Sequence, residues 1–131
     1  MAEAKEKHEP VRQSVHVDCP IEDAFRIFTE EFAEWFPVGD DCTIEPWMGG
    51  RVFERTRSGE ERDLGAVTLW NPPKRLEFTW HRESSVEVEF RVVADGTQVT
   101  LTHRGWESAG VEICALRHFH NYVAAQMLVA V

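Results

Sequence analysis

Residues 65–80 read GAVTLWNPPKRLEFTW, and this stretch predicts the β-hairpin around which the rest of the chain is arranged. Residues 68–70 favour a strand, which the following Asn-Pro-Pro ends because proline fixes φ and lacks an amide donor. After the turn, Leu76, Phe78 and Trp80 alternate with polar residues. The hairpin therefore has one apolar face, and that face needs a cover.

Alternating segments on both sides of the hairpin extend it into an antiparallel sheet. Apolar residues recur at every second position in 86–92, and Val99, Leu101 and His103 alternate with threonines after a turn at 94–97. Residues 11–17 predict a first strand, although Gln13 interrupts its apolar phase. The other positions are rich in Thr and Glu, which indicates a sheet with one face in water.

The segment before the hairpin carries weaker signals. Residues 38–46 are predicted to be mostly loop, with a faint strand pattern at 43–45. A strand is predicted in 51–57, where Val52 and Phe53 fall on opposite faces. The paired glycines before it indicate a tight turn or a bulge.

Two helical segments are available to cover the sheet. The first begins after Asp18-Cys19-Pro20, because proline is tolerated in a first helical turn, and it ends before Pro37. A pair of short helices with a kink near Thr29 would use the same apolar stripe. That stripe consists of Ile21, Ala24, Phe25, Phe28, Phe32, Trp35 and Phe36.

The second helix is predicted over residues 111–131, about 31 Å at a rise of 1.5 Å per residue, which is long enough to cross the sheet. Its apolar stripe consists of Leu116, Phe119, His120, Val123, Met127 and Ala130. The predicted fold class is α+β. It is a curved antiparallel sheet wrapped around a long C-terminal helix, with a small helical hairpin after the first strand.

Length and composition predict one domain. With 131 residues, 43% of them hydrophobic and 28% charged, the chain is ordinary for a soluble protein with a single core. We expect residues 1–10 to be a mobile tail and residues 11–131 to form the domain. The tail lacks the apolar stretch of a signal peptide, and the longest apolar run, 127–131, is too short to span a membrane. A cytoplasmic protein without membrane association is therefore expected.

Charge and metal-ligand spacing exclude further classes. A net charge of −9 with 14 Lys and Arg argues against nucleic acid, because phosphate neutralisation needs clustered basic residues. The three cysteines are scattered without Cys-x-x-Cys spacing, so neither a disulfide framework nor a zinc site is expected. His118 and His120 lie two apart on the predicted helix and would diverge by about 200°. No metal and no cofactor are predicted.

Five short motifs occur in order along the chain. They are Trp47-x-Gly49-Gly50-x-x-Phe53, the isolated Gly65 before Val67, Pro73-x-Arg75-Leu76-x-Phe78-Thr79-Trp80, Gly96-Thr97-x-Val99-Thr100-Leu101, and His103-Arg104-Gly105-Trp106. Together they resemble the START-like helix-grip superfamily, whose members include polyketide cyclases and aromatases. The branch that they resemble is the C-terminal domain of the activator of the heat-shock protein ATPase, over residues 11–130.

The resemblance implies a helix-grip fold but not an activity, since such proteins include hydrophobic-ligand carriers, cyclases and co-chaperone domains. This chain departs from the pattern in its last helix. Where the family usually carries Gly-Trp, it has Asn121-Tyr122, in a helix that is shorter than usual. How this helix closes a cavity is left open.

Inward-facing aromatic residues are the candidate ligand contacts. Aromatic lining is typical of small-molecule pockets, although such residues, Trp47 among them, more often belong to the core. His103 continues the inward phase of Leu101 and is either a polar anchor in an apolar pocket or a histidine at the solvent rim. The predicted ligand-binding residues are Trp35, Phe53, Phe78, Trp80, Phe90, Leu101, His103, Phe119 and Val123.

The acidic side chains of the strand at 51–57 and of the helical hairpin are predicted to lie in solvent. Glu54 and its neighbour Arg55 are predicted to belong to a solvated sheet edge. Glu30, Glu31 and Glu34 are predicted to form the wet face of the helical hairpin.

The leading functional hypothesis is the binding of a small, largely hydrophobic molecule in a cavity between the sheet and the C-terminal helix. No nucleophile with a base, phosphate loop or paired acid occurs at diagnostic spacing, so the sequence favours a role without catalysis, and catalytic residues are unknown. One alternative is a chaperone ATPase-activating interaction module. Another is a cyclase-like or hydrolytic enzyme that uses His103 as acid or base. The expected partners are a small hydrophobic ligand and either a chaperone or a second copy of the chain.

Overall fold

The computed structural model describes residues 10–36, 41–81, 84–105 and 115–129. The strands are β1 (Val11–Val17), β2 (Asp41–Ile44), β3 (Arg51–Arg55), β4 (Glu61–Asn71), β5 (Arg75–Trp80), β6 (Ser84–Val93) and β7 (Gly96–Arg104). The helices are α1 (Ile21–Glu30), α2 (Phe32–Trp35) and α3 (Ala115–Val129). The predicted tail at 1–9, the predicted helix end at Pro37, the loop residues 38–40 and the predicted helical residues 111–114 and 130–131 lie outside this description.

The strands form one curved antiparallel sheet in the order β1-β7-β6-β5-β4-β3-β2. The hairpin predicted from residues 65–80 lies at its centre, with Asn71 opposite Arg75 and Val67 opposite Phe78. Burial alternates along β5, β6 and most of β7, so one face is packed and the other is in water. The predicted α+β helix-grip fold is confirmed.

The helical hairpin takes the two-helix form that the apolar stripe allowed. α1 and α2 are separated at Glu31, whose amide still bonds to the carbonyl of Ile27 at 3.2 Å. The kink was predicted near Thr29, but Thr29 lies within α1, where its hydroxyl donates to the carbonyl of Phe25 at 2.9 Å. Because the stripe continues across the break, both helices pack on the same core.

One strand was not predicted. Residues 41–44, placed in a loop by their turn-rich sequence, form β2 and pair with β3 from Asp41 opposite Arg55 to Ile44 opposite Val52. Cys42 and Ile44 are buried in the core cluster. Long-range pairing and burial therefore override a weak local strand signal, as is common for edge strands.

The paired glycines form a turn, and the bulge lies elsewhere. The amide of Gly50 bonds to the carbonyl of Trp47 at 2.9 Å, and Gly49 has a φ of 81°. The register between β3 and β4 shifts between Val52 and Phe53. The extra residue is on β4, where Leu64 has no Cα partner in the ladder.

α3 packs against β1, α1 and α2. Leu116, Phe119 and Val123 of its predicted stripe are buried, whereas His120 is exposed, contrary to the prediction. The side chains of Met127 and Ala130 lie outside the described residues. Within the described ranges, no helix combines the length and apolar content needed to cross a bilayer.

Candidate functional site

The packed face of the sheet presents rows of inward side chains. Phe78, Val86 and His103 lie opposite one another across β5, β6 and β7, and all three are buried. A second row of inward residues, formed by Leu76, Val88 and Leu101, runs beside it. We call this surface the concave face.

Aromatic rings from the helices cover the concave face. Phe28 of α1 lies with its ring centroid 5.7 Å from Phe90 and 5.2 Å from Phe119 of α3. The Trp35 ring also lies 5.2 Å from Phe119. Phe32 extends the cluster to Phe78 at 6.4 Å. The helical hairpin therefore shares with α3 the covering role that the sequence assigned mainly to the C-terminal helix.

One end of the concave face carries a group of three buried residues with polar atoms. Trp80, Ser84 and His103 are 2%, 3% and 1% exposed. Ser84 donates its hydroxyl to the carbonyl of Trp80. The indole Nε1 of Trp80 has no hydrogen-bond partner among the described residues. The buried indole of Trp35, by contrast, donates to the carbonyl of Phe28 at 3.3 Å.

The surroundings of Trp80 are otherwise aromatic. The rings of Phe36 and His81 lie edge-on to it, at centroid distances of 5.4 and 5.1 Å. His81 has a φ of 56°, a left-handed conformation that costs a non-glycine residue about 1–2 kcal/mol. A buried donor and a strained backbone therefore occur at consecutive positions.

Eight of the nine predicted ligand-binding residues lie together. His103 is on the concave face, and seven others belong to the buried core cluster: Trp35, Phe78, Trp80, Phe90, Leu101, Phe119 and Val123. Phe53 is also buried, but it lies on the opposite face, with the guanidinium carbon of Arg51 4.1 Å from its ring centroid. Which of these residues contact a ligand stays a prediction.

Sequence reasoning missed two members of this region. Phe28 was recognised only as part of a covering stripe, although it contacts both Phe90 and Phe119. Ser84 was not considered, although extending the inward phase of Val86 back by two residues reaches it. The vacant donor of Trp80 carried no sequence signal, because it depends on the tertiary surroundings of that indole.

Two side chains near β3 depart from their predicted environments. Trp47 is not in the core but is 53% exposed. Glu54 is only 7% exposed and not at a solvated edge, because β3 lies between β2 and β4. Its Oε2 lies 2.7 Å from a guanidinium nitrogen of Arg62, so the buried carboxylate is paired.

Glu31 is not simply part of a wet helical face. It accepts a hydrogen bond from the hydroxyl of Tyr122 at 2.6 Å and another from Arg26 at 3.2 Å. The hydrogen bond that Tyr122 donates to Glu31 raises the pKa of Tyr122 to about 12. Glu30 and Glu34 are exposed, as predicted. Through this hydroxyl, Tyr122 links α3 to the break between α1 and α2.

A second space lies at the edge of the sheet, outside the aromatic cluster. This cavity of about 620 Å³ runs between β1 and α3, and we call it the β1–α3 groove. It is lined by Gln13, Ser14, Val15, His16, Leu116, Arg117 and His120.

Thiol and metal chemistry have little support in the described residues. Burial, reinforced by Asp23, raises the pKa of Cys19 to about 11, which keeps it in the unreactive thiol form. Cys42 is buried as well. His118 and His120 are both exposed, and the described ranges contain no group of three or more His, Cys, Asp or Glu side chains placed to hold a metal ion.

Comparison with protein families gives one match that covers most of the chain. Residues 18–127 match the model of the family described as Activator of Hsp90 ATPase homolog 1-like protein. Comparison with curated proteins gave no match.

Solved structures share the fold. An AHSA1-like protein from Aeromonas hydrophila has a TM-score of 0.70 at 23% identity, covering 91% of this chain and 94% of that chain. A protein from Nitrosomonas europaea has a TM-score of 0.69 at 15% identity, covering 92% and 97%. An anthrahydroquino-gamma-pyrone synthase has a TM-score of 0.60 at 29% identity, covering 87% and 96%.

Proposed function

We propose that this chain, which belongs to the Activator of Hsp90 ATPase homolog 1-like protein family, binds a small, largely apolar molecule between the concave face and the helices that cover it. The observation that carries the proposal is the vacant donor of Trp80. A buried donor without an acceptor costs about 1–3 kcal/mol, which a ligand with a suitably placed oxygen would recover. The ligand is therefore expected to carry a carbonyl or phenolic oxygen on an apolar body.

The surroundings of this donor support a planar ligand. Phe36, Phe78 and His81 present ring faces and edges around Trp80, and aromatic rings attract one another in offset or edge-on geometry. His103, in register with Phe78 through Val86, adds a second polar group at the same end of the face. The name of the 29%-identical neighbour, an anthrahydroquino-gamma-pyrone synthase, refers to a fused-ring compound that carries oxygen.

The test uses 1,8-dihydroxyanthraquinone as the probe and the indole N–H signals of the five tryptophans as the readout. Binding should move the Trp80 N–H resonance downfield, because that proton acquires an acceptor. The Trp35 resonance is the internal control, since its proton already bonds to the carbonyl of Phe28. A Trp80→Phe variant assigns the signal and should bind the probe more weakly by about 5–10-fold, the worth of one neutral hydrogen bond.

Two results would contradict the proposal. One is a Trp80 resonance that stays unmoved at saturating probe while the probe binds elsewhere. The other is an absence of binding together with a purified protein whose native mass spectrum shows no co-purified molecule.

A second candidate function is favoured by an exposed hydrophobic pair. Trp47 and Met48, 53% and 62% exposed, stand side by side in the turn between β2 and β3. Aromatic residues and methionine are enriched at protein interfaces. The family description suggests the Hsp90 ATPase as the partner.

This candidate is tested by the chaperone's ATPase rate. Stimulation by the parent protein should be lost in a Trp47→Ser/Met48→Ser double variant and retained in Val92→Ser, which removes an exposed side chain from the end of β6. A parent protein that leaves the rate unchanged would remove this candidate. Self-association abolished by the double variant would assign the pair to a homodimer instead.

A further inference from the structure

The β1–α3 groove has a charge distribution that sets it apart from the rest of this acidic chain. None of the described residues that line it is a carboxylate, whereas the sequence has 23 Asp and Glu against 14 Lys and Arg. Arg117 is exposed in its wall and has no ion-pair partner among the described residues. Six other arginines each pair with a carboxylate: Arg26, Arg51, Arg55, Arg62, Arg75 and Arg104.

Two further polar groups share the wall with this guanidinium. His120 lies three residues after Arg117, so the two side chains project from the same side of α3. His16 stands on the β1 side, with its Nε2 3.2 Å from the backbone carbonyl oxygen of Asp95 and its Nδ1 3.5 Å from Asp18 Oδ1. Because both ring nitrogens of His16 are engaged, the donors that the groove offers to a ligand are those of Arg117 and His120 on α3.

The floor of the groove is apolar. Val15, half-buried on the β1 side, is the apolar residue of the floor that a ligand can touch, and Leu116 lies fully buried beneath it. A volume of about 620 Å³ is within the range of small-molecule sites, which are about 300–1,000 Å³. An apolar floor beside a guanidinium that has no ion-pair partner among the described residues suits a molecule with an apolar body and one anionic head.

We propose that the β1–α3 groove binds an amphipathic organic anion, with its carboxylate on Arg117 and its hydrocarbon portion on the floor at Val15. The planar guanidinium matches a carboxylate through two parallel hydrogen bonds. This site is separate from the one proposed around Trp80. The ring of Phe119 is buried in the aromatic cluster, whereas Arg117 and His120 face the groove.

The experiment titrates decanoate into the full chain by calorimetry and follows backbone amide shifts. Decanoate should move the amides of residues 14–16 and 116–120 and leave the Trp80 indole signal in place. Arg117→Gln should weaken binding about tenfold, the effect of losing a charge-assisted hydrogen bond. The matched control is Arg57→Gln. Arg57 is also exposed, lies in the β3–β4 turn, and its replacement changes the net charge equally.

Several outcomes would overturn this proposal. Equal weakening by Arg57→Gln would show that net charge and not the groove attracts the anion. Decanol binding as tightly as decanoate would remove the role of Arg117, and inorganic phosphate binding as tightly would remove the role of the apolar floor. Displacement of the anthraquinone probe by decanoate, with no shift at 14–16, would place decanoate at the other site.

Discussion

Tyr122 and Glu31 form a contact in which one hydroxyl joins two parts of the fold. The 2.6 Å hydrogen bond runs from the middle of α3 to the junction of α1 and α2, 91 residues away in sequence. Phenylalanine would retain the ring and lose the bond, so Tyr122→Phe should reduce the free energy of unfolding by about 0.5–1.5 kcal/mol near neutral pH. Urea denaturation of parent and variant measures this difference.

The same bond predicts a pH dependence. The folded state raises the pKa of Tyr122 from about 10 to about 12, because ionisation would break the hydrogen bond that the phenol donates to Glu31 and because the phenolate would be partly buried beside that carboxylate. The stabilisation is therefore complete below about pH 10 and disappears as the pH rises through about 12. The chain has one tyrosine, so phenolate absorbance reports this group directly. A midpoint near 10 in the folded protein, or equal stability of the two proteins at pH 8, would contradict the contact.

Glu54 shows why single polar residues were hard to place from the sequence. Val52 and Phe53 are both apolar, so the sequence did not show which face of β3 is buried. Glutamate is usually exposed, which favoured the solvent face for Glu54. In the fold it lies opposite Cys42 on β2 and Arg62 on β4, on the face that carries the core. The guanidinium of Arg62 lies in water at 65% exposure and still reaches the carboxylate.

At the scale of elements, Gly65 is a point of close approach between strands. A Cβ built at this position would lie 1.8 Å from the carbonyl oxygen of Thr79 on β5, which is far inside contact distance. Gly65→Ala would push β4 and β5 apart next to the β-bulge and the bond from the amide of Ala66 to Thr79 Oγ1. We expect it to cost about 3 kcal/mol, the upper end for overpacking.

The control for this prediction is Gly59→Ala. A Cβ at Gly59 meets nothing within 4 Å, so only its φ of 94° opposes the substitution, at about 1 kcal/mol. The urea midpoints of the two variants, at unchanged m-values, give both losses of unfolding free energy. Equal losses at the two positions would show that β4 and β5 can accommodate a methyl group. The close approach of the two strands would then not explain why residue 65 is glycine.

The strands differ in how well the sequence predicted them, because they differ in length and in burial. β5, β6 and β7 have clear two-residue periods and were predicted correctly, because each buries one face along most of its length. β2 has four residues at the sheet edge and a turn-rich sequence, so its local pattern was too short to be informative. Pairing with β3 stabilises it in the fold.

At the scale of the molecule, one aromatic cluster joins the sheet to all three helices. Contacts run from Phe90 through Phe28 to Phe119, and from Phe78 through Phe32 to the α2 rings. This cluster fills the central part of the concave face. The two proposed sites lie beside it, one at the polar end near Trp80 and the other at the β1 edge. Because the centre is packed, both proposals place their ligands at its margins.

The sequence by itself determined the order of most elements, the presence of one apolar and one polar sheet face, and the identity of the inward residues on β5, β6 and β7. These features depend on side-chain periods of 2 and 3.6 residues, which are local and visible in one dimension. Only the tertiary structure decided which polar groups lost water and which partners they found. Among the residues that the structure describes, the indole of Trp80 meets no acceptor, Glu54 pairs with Arg62 and Glu31 bonds to Tyr122. Each outcome depends on which residues the folded strands and helices bring together.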